Sequence, residues 1–583
     1  MSAQSESIPA SSPRWWVLAL CGVAGLAWGT YLIGPSTIDP TSVSWMMRDD
    51  WAPPLFGWLY TRSAPWSLPL GQAPGYLHPI GTSLAYTDAT PWLSTFFKLL
   101  SPWLPTVFQV HGPWLALCFA LQGFFGARIA ACFTPRPLLQ FLSGTLFVLS
   151  PALNSRLSHV SLCAHWLVLV FLWLYLRPCP DARTATRTLG LATFFIALSA
   201  GVHVYLAAMN LILALSLTVR LWLLDEHLSA RRAGAWATGM PAVALGVMAL
   251  FGFFSGVTTE AFGYNSFSSN LLTFIDPAGL SRFLPAFPIG RRQFEGIAYL
   301  GLGVLGLGAL AGSALVVRSK EEPLLPRHLW PLVAACLLLA LFAFSARIQL
   351  AQLTVFSYER LYEVTFEPLG KIFRASGRFI WPLHYALMAG VVAALLRLLR
   401  HHPRAAAGAL GLALAIQVLE VPEELRGGSR FEPQSSRIPG GSALWSLATG
   451  HYRHVVLYPT VMVDGTGHGC PPDHTFSTEE SLPFAWQAWL AGMTFNAGYV
   501  ARVNEQRTLA YCQELEHDMR QGRLDPDTIY VVHASVAARF QEDTADRATC
   551  GSLDGVLVCV AVGRGSPFSE ALARKERALH VLE

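Results

Sequence analysis

The chain has 583 residues, 53% of them hydrophobic and only 13% charged, with a mean hydropathy of +0.40. Soluble domains carry about 25% charge, so long uncharged stretches must be present and a purely soluble reading is excluded. The net charge of +4 comes without a dense Lys/Arg stripe, which excludes nucleic acid as a partner.

A membrane-spanning helix needs about 20 predominantly apolar residues. In chain order, the segments that read as helices of this kind are about 15–34, 108–131, 138–153, 160–176, 188–202, 204–224, 235–256, 297–317, 329–346, 379–399 and 405–420. Taken together they predict an α-helical polytopic bundle of about 11 helices over residues 1–420. The first segment reads as a retained helix, not as a cleaved leader: only Arg14 precedes it, and its apolar stretch exceeds the usual signal-peptide core. Lys and Arg concentrate in alternate short connections, among them Arg128 and Arg136, Arg183 and Arg187, Arg231 and Arg232, and Arg400 and Arg404. The positive-inside rule places these in the cytoplasm. With an odd number of spans, the C-terminal part then lies outside.

The opposite connections are long: 35–107, 257–296 and 347–378. Loops of this length are usually functional or have structure of their own. The first is rich in aromatic residues, including Trp45, Trp51, Trp58, Tyr60, Trp66, Tyr76 and Trp103, and reads as short amphipathic helices at the membrane–water boundary. The spans themselves hold few ionisable groups; His165 and His203 are the main exceptions, and each reads as a packing residue. Scarcity of intramembrane charge argues against a transport path. A flippase or assembly subunit for envelope glycans is nevertheless the alternative to an enzyme.

From about residue 421 charges return. Apolar runs at His454–Thr460, Thr528–His533 and Gly555–Val562 read as buried strands, and 478–492 and 505–520 as helices. They predict a soluble α/β domain over 421–583. Its four cysteines suggest disulfides in an exported domain, and the pairing favoured is Cys550 with Cys559 across a hairpin and Cys470 with Cys512; no CxxC spacing supports zinc. Gly465–Cys470 (GTGHGC) reads as a loop, with Asp473 and His474 nearby as acceptor contacts.

A mixed set of acids and arginines on the outer rim suits glycosyl transfer from a polyprenyl-phosphate sugar. The acceptor hydroxyl needs a carboxylate as general base. The departing phosphate needs cationic stabilisation, for which the guanidinium fork is well shaped. Four stretches, Asp50–Tyr60 (DWAPPLFGWLY), Pro79–Pro91 (PIGTSLAYTDATP), Phe108–Phe125 (FQVHGPWLALCFALQGFF) and Arg156–Trp166 (RLSHVSLCAHW), resemble the DUF6311 family of bacterial multi-spanning proteins. So do the later stretches Asn270–Pro277 (NLLTFIDP), Phe294–Gly303 (FEGIAYLGLG) and Phe373–Pro382 (FRASGRFIWP). The resemblance implies a fold like that of the GT-C membrane glycosyltransferases, a bacterial inner-membrane location with a periplasmic C-terminal domain, and a glycan, lipid or protein acceptor.

It also implies an acidic catalytic residue soon after the first helix, which Asp50 matches and for which its neighbour Asp49 competes. Asp88 is the second acid; Asp50 and Asp88 both also read as helix caps. Where a His is expected four residues after the acid this chain has Pro54, leaving His78 as substitute. Arg374 and Arg378, spaced to share a helical face, are assigned to the donor phosphate together with Arg282. Glu295, Tyr299 and His159 are further candidates. No cofactor is required by this chemistry, and a divalent metal is compatible with it.

Overall fold

The computed structural model describes residues 14–254, 264–290, 292–317, 326–365, 367–432, 443–464, 470, 476–563 and 565–580. The expected acceptor contacts Asp473 and His474 lie outside the described residues.

Each expected apolar segment contains a helix. The bundle comprises α1 (Trp15–Ile33), α2 (His111–Ala131), α3 (Pro137–Val148), α4 (Trp166–Leu176), α5 (Ala182–Ala200), α6 (Val204–Leu223), α7 (Ala230–Leu250), α8 (Leu302–Val317), α9 (Trp330–Phe344), α10 (Trp381–Leu398) and α11 (Pro403–Glu420). The expectation of about 11 crossings is not met. Among the described residues six helical stretches are long and apolar enough to cross a membrane: Trp15–Ile33, His111–Ala131, Val204–Leu223, Ala230–Leu250, Arg327–Phe344 and Ser376–Leu398. Length is the reason for α3 and α4. At 1.5 Å per residue, helices of 12 and 11 residues reach only about 17–18 Å, short of a hydrocarbon core about 30 Å thick. α4 is apolar all round (WLVLVFLWLYL) and almost wholly buried, which marks a helix at the centre of a bundle. α5 opens with Arg183 and Arg187 in its first turns.

Small residues set the closest helix pair. A Cβ placed on Gly25 of α1 would lie 2.1 Å from the Phe119 carbonyl oxygen of α2. Glycine lets the two backbones approach, the usual way apolar helices pack without a hydrophobic gradient between them.

The connection after α1 is a folded unit. Helices at Ala52–Ser63 and Pro91–Leu99 and a ribbon pairing Gln72–Ala73 with Thr82–Ser83 shape it. Its aromatics do not lie at a membrane boundary as a group: Trp45, Trp51, Trp58, Tyr60 and Tyr76 are buried, and Trp66 and Trp103 are exposed. They form the unit's own core, continuous with the bundle.

The C-terminal domain holds a five-stranded mixed sheet. Its strands are β1 (His454–Tyr458), β2 (Thr494–Phe495), β3 (Thr528–Val532), β4 (Ala548–Leu553) and β5 (Val556–Ala561), in the order β4-β5-β3-β1-β2. β1 runs parallel to β2 and β3, while β5 runs antiparallel to β3 and β4. α12 (Thr478–Leu490) begins with a Ser477/Glu480 capping box, and α13 (Glu505–Arg520) with Asn504 as its cap. Cys550 faces Cys559 across the β4–β5 hairpin and is bonded to it; Cys470 is bonded to Cys512 of α13.

This domain is locked onto the first connection. Trp489 Nε1 donates to Leu59 O at 3.1 Å, Tyr60 Oη donates to Ala485 O at 3.1 Å, and the Phe495 backbone exchanges hydrogen bonds with Gly75 and His78.

Candidate functional site

The connections after α1, α3, α5, α7, α9 and α11 meet at one end of the bundle, tied by buried hydrogen bonds. Trp51 Nε1 donates to Leu157 O at 2.9 Å and Trp114 Nε1 to Val160 O at 3.0 Å, so the segment after α3 is held against the first connection. Arg48 donates to the Arg430 carbonyl beyond α11. The Ala375 amide after α9 donates to Tyr205 Oη at the start of α6 at 3.0 Å. Two motifs meet through glycine: a Cβ on Gly377 would lie 2.8 Å from the backbone of Gly296. That approach sets Arg378 beside Glu295.

Glu295 is the hub. Its carboxylate accepts from Arg378 Nε and Nη2, each at 2.9 Å, and from Arg156 Nη1 at 2.6 Å, while Arg156 Nη2 donates to Phe294 O at 2.8 Å. Burial pushes the Glu295 carboxyl up, but the charges of Arg378 and Arg156 outweigh it and hold the group well below the ordinary carboxylate range. A buried carboxylate between two guanidiniums satisfies the general requirement that buried charge be paired and hydrogen-bonded. It also means that Glu295 cannot serve as a base.

His159 spans the space between Glu295 and Asp50. Its Nε2 lies 3.7 Å from Glu295 Oε1 and its Nδ1 3.6 Å from Asp50 Oδ2. The Asp50 side chain is 42% exposed. It does not cap a helix: Asp49 and Asp50 sit in the 3-10 turn Asp49–Trp51, and the cap position of the next helix is Trp51. Asp49 is exposed and takes a left-handed backbone, φ 44°.

Asp88 joins from the other side. Ser161 Oγ donates to its Oδ1, and its Oδ2 is shielded without a hydrogen bond among the described residues. Burial pushes the Asp88 carboxyl up; His159, Ser161 and Arg378 partly offset this and Asp50 adds to it. The cap reading fails here too, since Thr90 holds the cap position of the helix at Pro91–Leu99. Asp88 and Thr90 both adopt positive φ, 56° and 48°, conformations that cost energy and gather at functional sites.

His203 is more than a packing residue. Its Nδ1 accepts from the Tyr205 amide at 3.2 Å, which leaves the proton on Nε2, 3.8 Å from Asp88 Oδ1. Burial, with Arg378 and His159 nearby, pushes this imidazole well below its ordinary value. His165, in contrast, packs inside the bundle against Tyr385 and Trp381.

Arg374 and Arg378 do not share a helical face. α-Helix ends at Ile372, Arg374 sits in a bend, and Arg378 lies in the 3-10 turn Ser376–Ile380. They nonetheless converge. Arg378 stacks over Tyr205 at 4.9 Å, Arg374 over Phe267 at 5.6 Å, and the charges of both reach Tyr205.

Three other expected residues fall elsewhere. Tyr299 is pinned to Glu420 by a 2.6 Å hydrogen bond, and the exposed Arg282 donates its amide to the Glu420 carbonyl. His78 stacks on His454 of β1 at 4.7 Å, so it belongs to the domain junction. Among the described residues no three His, Cys, Asp or Glu side chains converge as a metal-ligating set.

Arg156, Ser161, His203 and Tyr205 were not anticipated as site residues. The signal for the first two was present: Arg156, His159 and Ser161 are polar groups in a short connection between two apolar segments.

The family model described as "Domain of unknown function (DUF6311)" matches residues 22–422, and that of the DUF6311 C-terminal domain matches 444–561. The chain belongs to the DUF6311 family. The matched regions of this DUF6311 protein divide it as its structure does, into the helical bundle with the cluster at one end and the sheet domain docked over the first connection. A comparison with curated proteins gives no match.

Proposed function

We propose that this DUF6311 protein is a membrane glycosyltransferase of GT-C type. It would move a sugar from a polyprenyl phosphate to an envelope glycan, lipid or protein by a single inverting displacement. The observation that carries the reading is the chain of contacts from an open carboxylate, Asp50, through His159 and Glu295 to Arg378, at the end of the bundle where six connections meet.

In this mechanism the acceptor oxygen attacks the anomeric carbon and its proton passes to Asp50. The carbon–oxygen bond to phosphate breaks with its electron pair leaving on the polyprenyl phosphate. Arg378 keeps N–H donors beyond the two given to Glu295 and, with Arg374, stabilises that anion. Glu295 fixes the Arg378 plane, and His159 orients Asp50. Asp88 is the second carboxylate and the alternative base, its proton affinity raised by burial. The site would face the periplasm of a bacterial inner membrane, an orientation supported by the disulfides of the docked domain.

The test is mass spectrometry of envelope glycans and lipids from cells expressing wild type, Asp50→Asn or Asp88→Asn. A product present with wild type should fall about 10²–10⁴-fold with Asp50→Asn at unchanged protein level. Undiminished product with both variants would remove the proposed base.

A further inference from the structure

A cavity of about 310 Å³ lies between the first connection and the C-terminal domain, lined by Gln72, Thr82, Tyr86, Arg502, Asn504 and Arg507 among others. Two guanidiniums and no carboxylate line it among the described residues. Arg502 also donates to the Ala501 carbonyl at 2.7 Å, and a lining with two cations suits a negatively charged, acceptor-rich ligand.

The cavity adjoins the cluster. Tyr86, on its wall, precedes Asp88 by two residues, and its carbonyl accepts the Ala501 amide at 2.7 Å. The charge of Arg502 reaches Tyr86 and also Tyr205, the ring under Arg378. The soluble domain thus brings a second cationic centre to the Tyr86 side of the cluster. A donor phosphate held at Arg378 leaves this centre for the other substrate.

The geometry points to an anion subsite for the acceptor: an oligosaccharide bearing carboxylate or phosphate, held by Arg502 and Arg507. The word acceptor rests on the transferase reading; the anion site itself does not. It gives the C-terminal domain a defined task, selecting acceptors by charge.

Binding is measured on the full chain in lipid nanodiscs, with trigalacturonate, glucose 6-phosphate, neutral maltotriose and undecaprenyl phosphate as probes. At least one charged sugar should bind, carboxylated or phosphorylated according to the natural group, and maltotriose at least ten-fold more weakly. Arg507→Glu, at an exposed position and so tolerated by the fold, should weaken the charged sugar ten-fold or more, as should Arg502→Gln with Arg507→Gln. Both should leave undecaprenyl phosphate binding unchanged. The subsite is overturned if neither charged sugar binds at millimolar concentration, if maltotriose binds equally, if Arg507→Glu has no effect, or if undecaprenyl phosphate displaces the sugar. A wild type that binds a charged sugar but no undecaprenyl phosphate counts against the transferase reading alone.

Discussion

At the scale of single residues, the decisive feature is how one buried carboxylate organises the others. Glu295 takes three hydrogen bonds from two guanidiniums, so replacing it leaves two buried cations without a counter-charge. Glu295→Gln should therefore cost about 3–5 kcal/mol, read as a lower melting temperature in detergent. The pH dependence follows from the depressed carboxyl. A group held below its unfolded value contributes stability that is complete above about pH 4.3 and is lost as pH falls toward the depressed value. The gap in melting temperature between wild type and Glu295→Gln should stay constant from neutral pH down to about pH 4–5 and close below it. A gap that closes already between pH 7 and 6 would contradict this account. None of the pairings was legible in the sequence. Glu295 lies 139 positions from Arg156 and 83 from Arg378, and hydropathy reports nothing about which loops meet.

At the scale of elements, apolar content located the helices well but overstated how many cross a membrane. Periodicity cannot separate a lipid-facing helix from one buried inside a bundle, because both are apolar all round; α4 is the example. Close packing supplies the sharper test. On α1, a Cβ at Gly25 meets a backbone oxygen at 2.1 Å, whereas one at Gly22 meets its nearest neighbour at an ordinary 3.6 Å. Gly25→Ala should destabilise the bundle by about 1–3 kcal/mol, the cost of overpacking, and Gly22→Ala should be close to neutral. Thermal unfolding of the two variants side by side checks this. In the C-terminal domain β1, β3, β5, α12 and α13 were read to within a few residues, since short β-rich runs bounded by polar turns carry a clear signal, whereas β2, β4 and the helices at Ala537–Thr544 and Pro567–His580 were not read. The face that this domain presents to the bundle was not readable.

At the scale of the whole molecule, the placement of the connections sets which residues a reagent reaches from each side of the membrane. The first connection and the docked domain share one end of the bundle with the cluster, and the connection between α10 and α11 lies at the other. If the cluster faces outward, Thr449→Cys, on the exposed surface of the C-terminal domain, should react with a membrane-impermeant maleimide in cells with a permeabilised outer membrane. His401→Cys, exposed in the α10–α11 connection, should react only after lysis. The reverse pattern would place the cluster in the cytoplasm and withdraw the envelope acceptor. The same arrangement explains why the C-terminal domain matters to the site. It is not tethered loosely; its sheet edge and Trp489 hold the first connection in place, and with it Asp50 and Asp88.

What the sequence determined by itself is whatever depends on local composition: apolar helical segments, a polar α/β tail, paired cysteines, and acids and arginines gathered in alternate connections. Those properties follow from hydropathy and residue spacing, which act over a few turns of chain. Only the tertiary structure decided which charges touch, that His203 faces Asp88, that Arg374 and Arg378 converge from a bend and a 3-10 turn, and that a basic cavity opens at the domain junction. Such facts arise from contacts between segments a hundred or more residues apart, set by backbone approach at positions such as Gly296 and Gly377, and no local pattern encodes them.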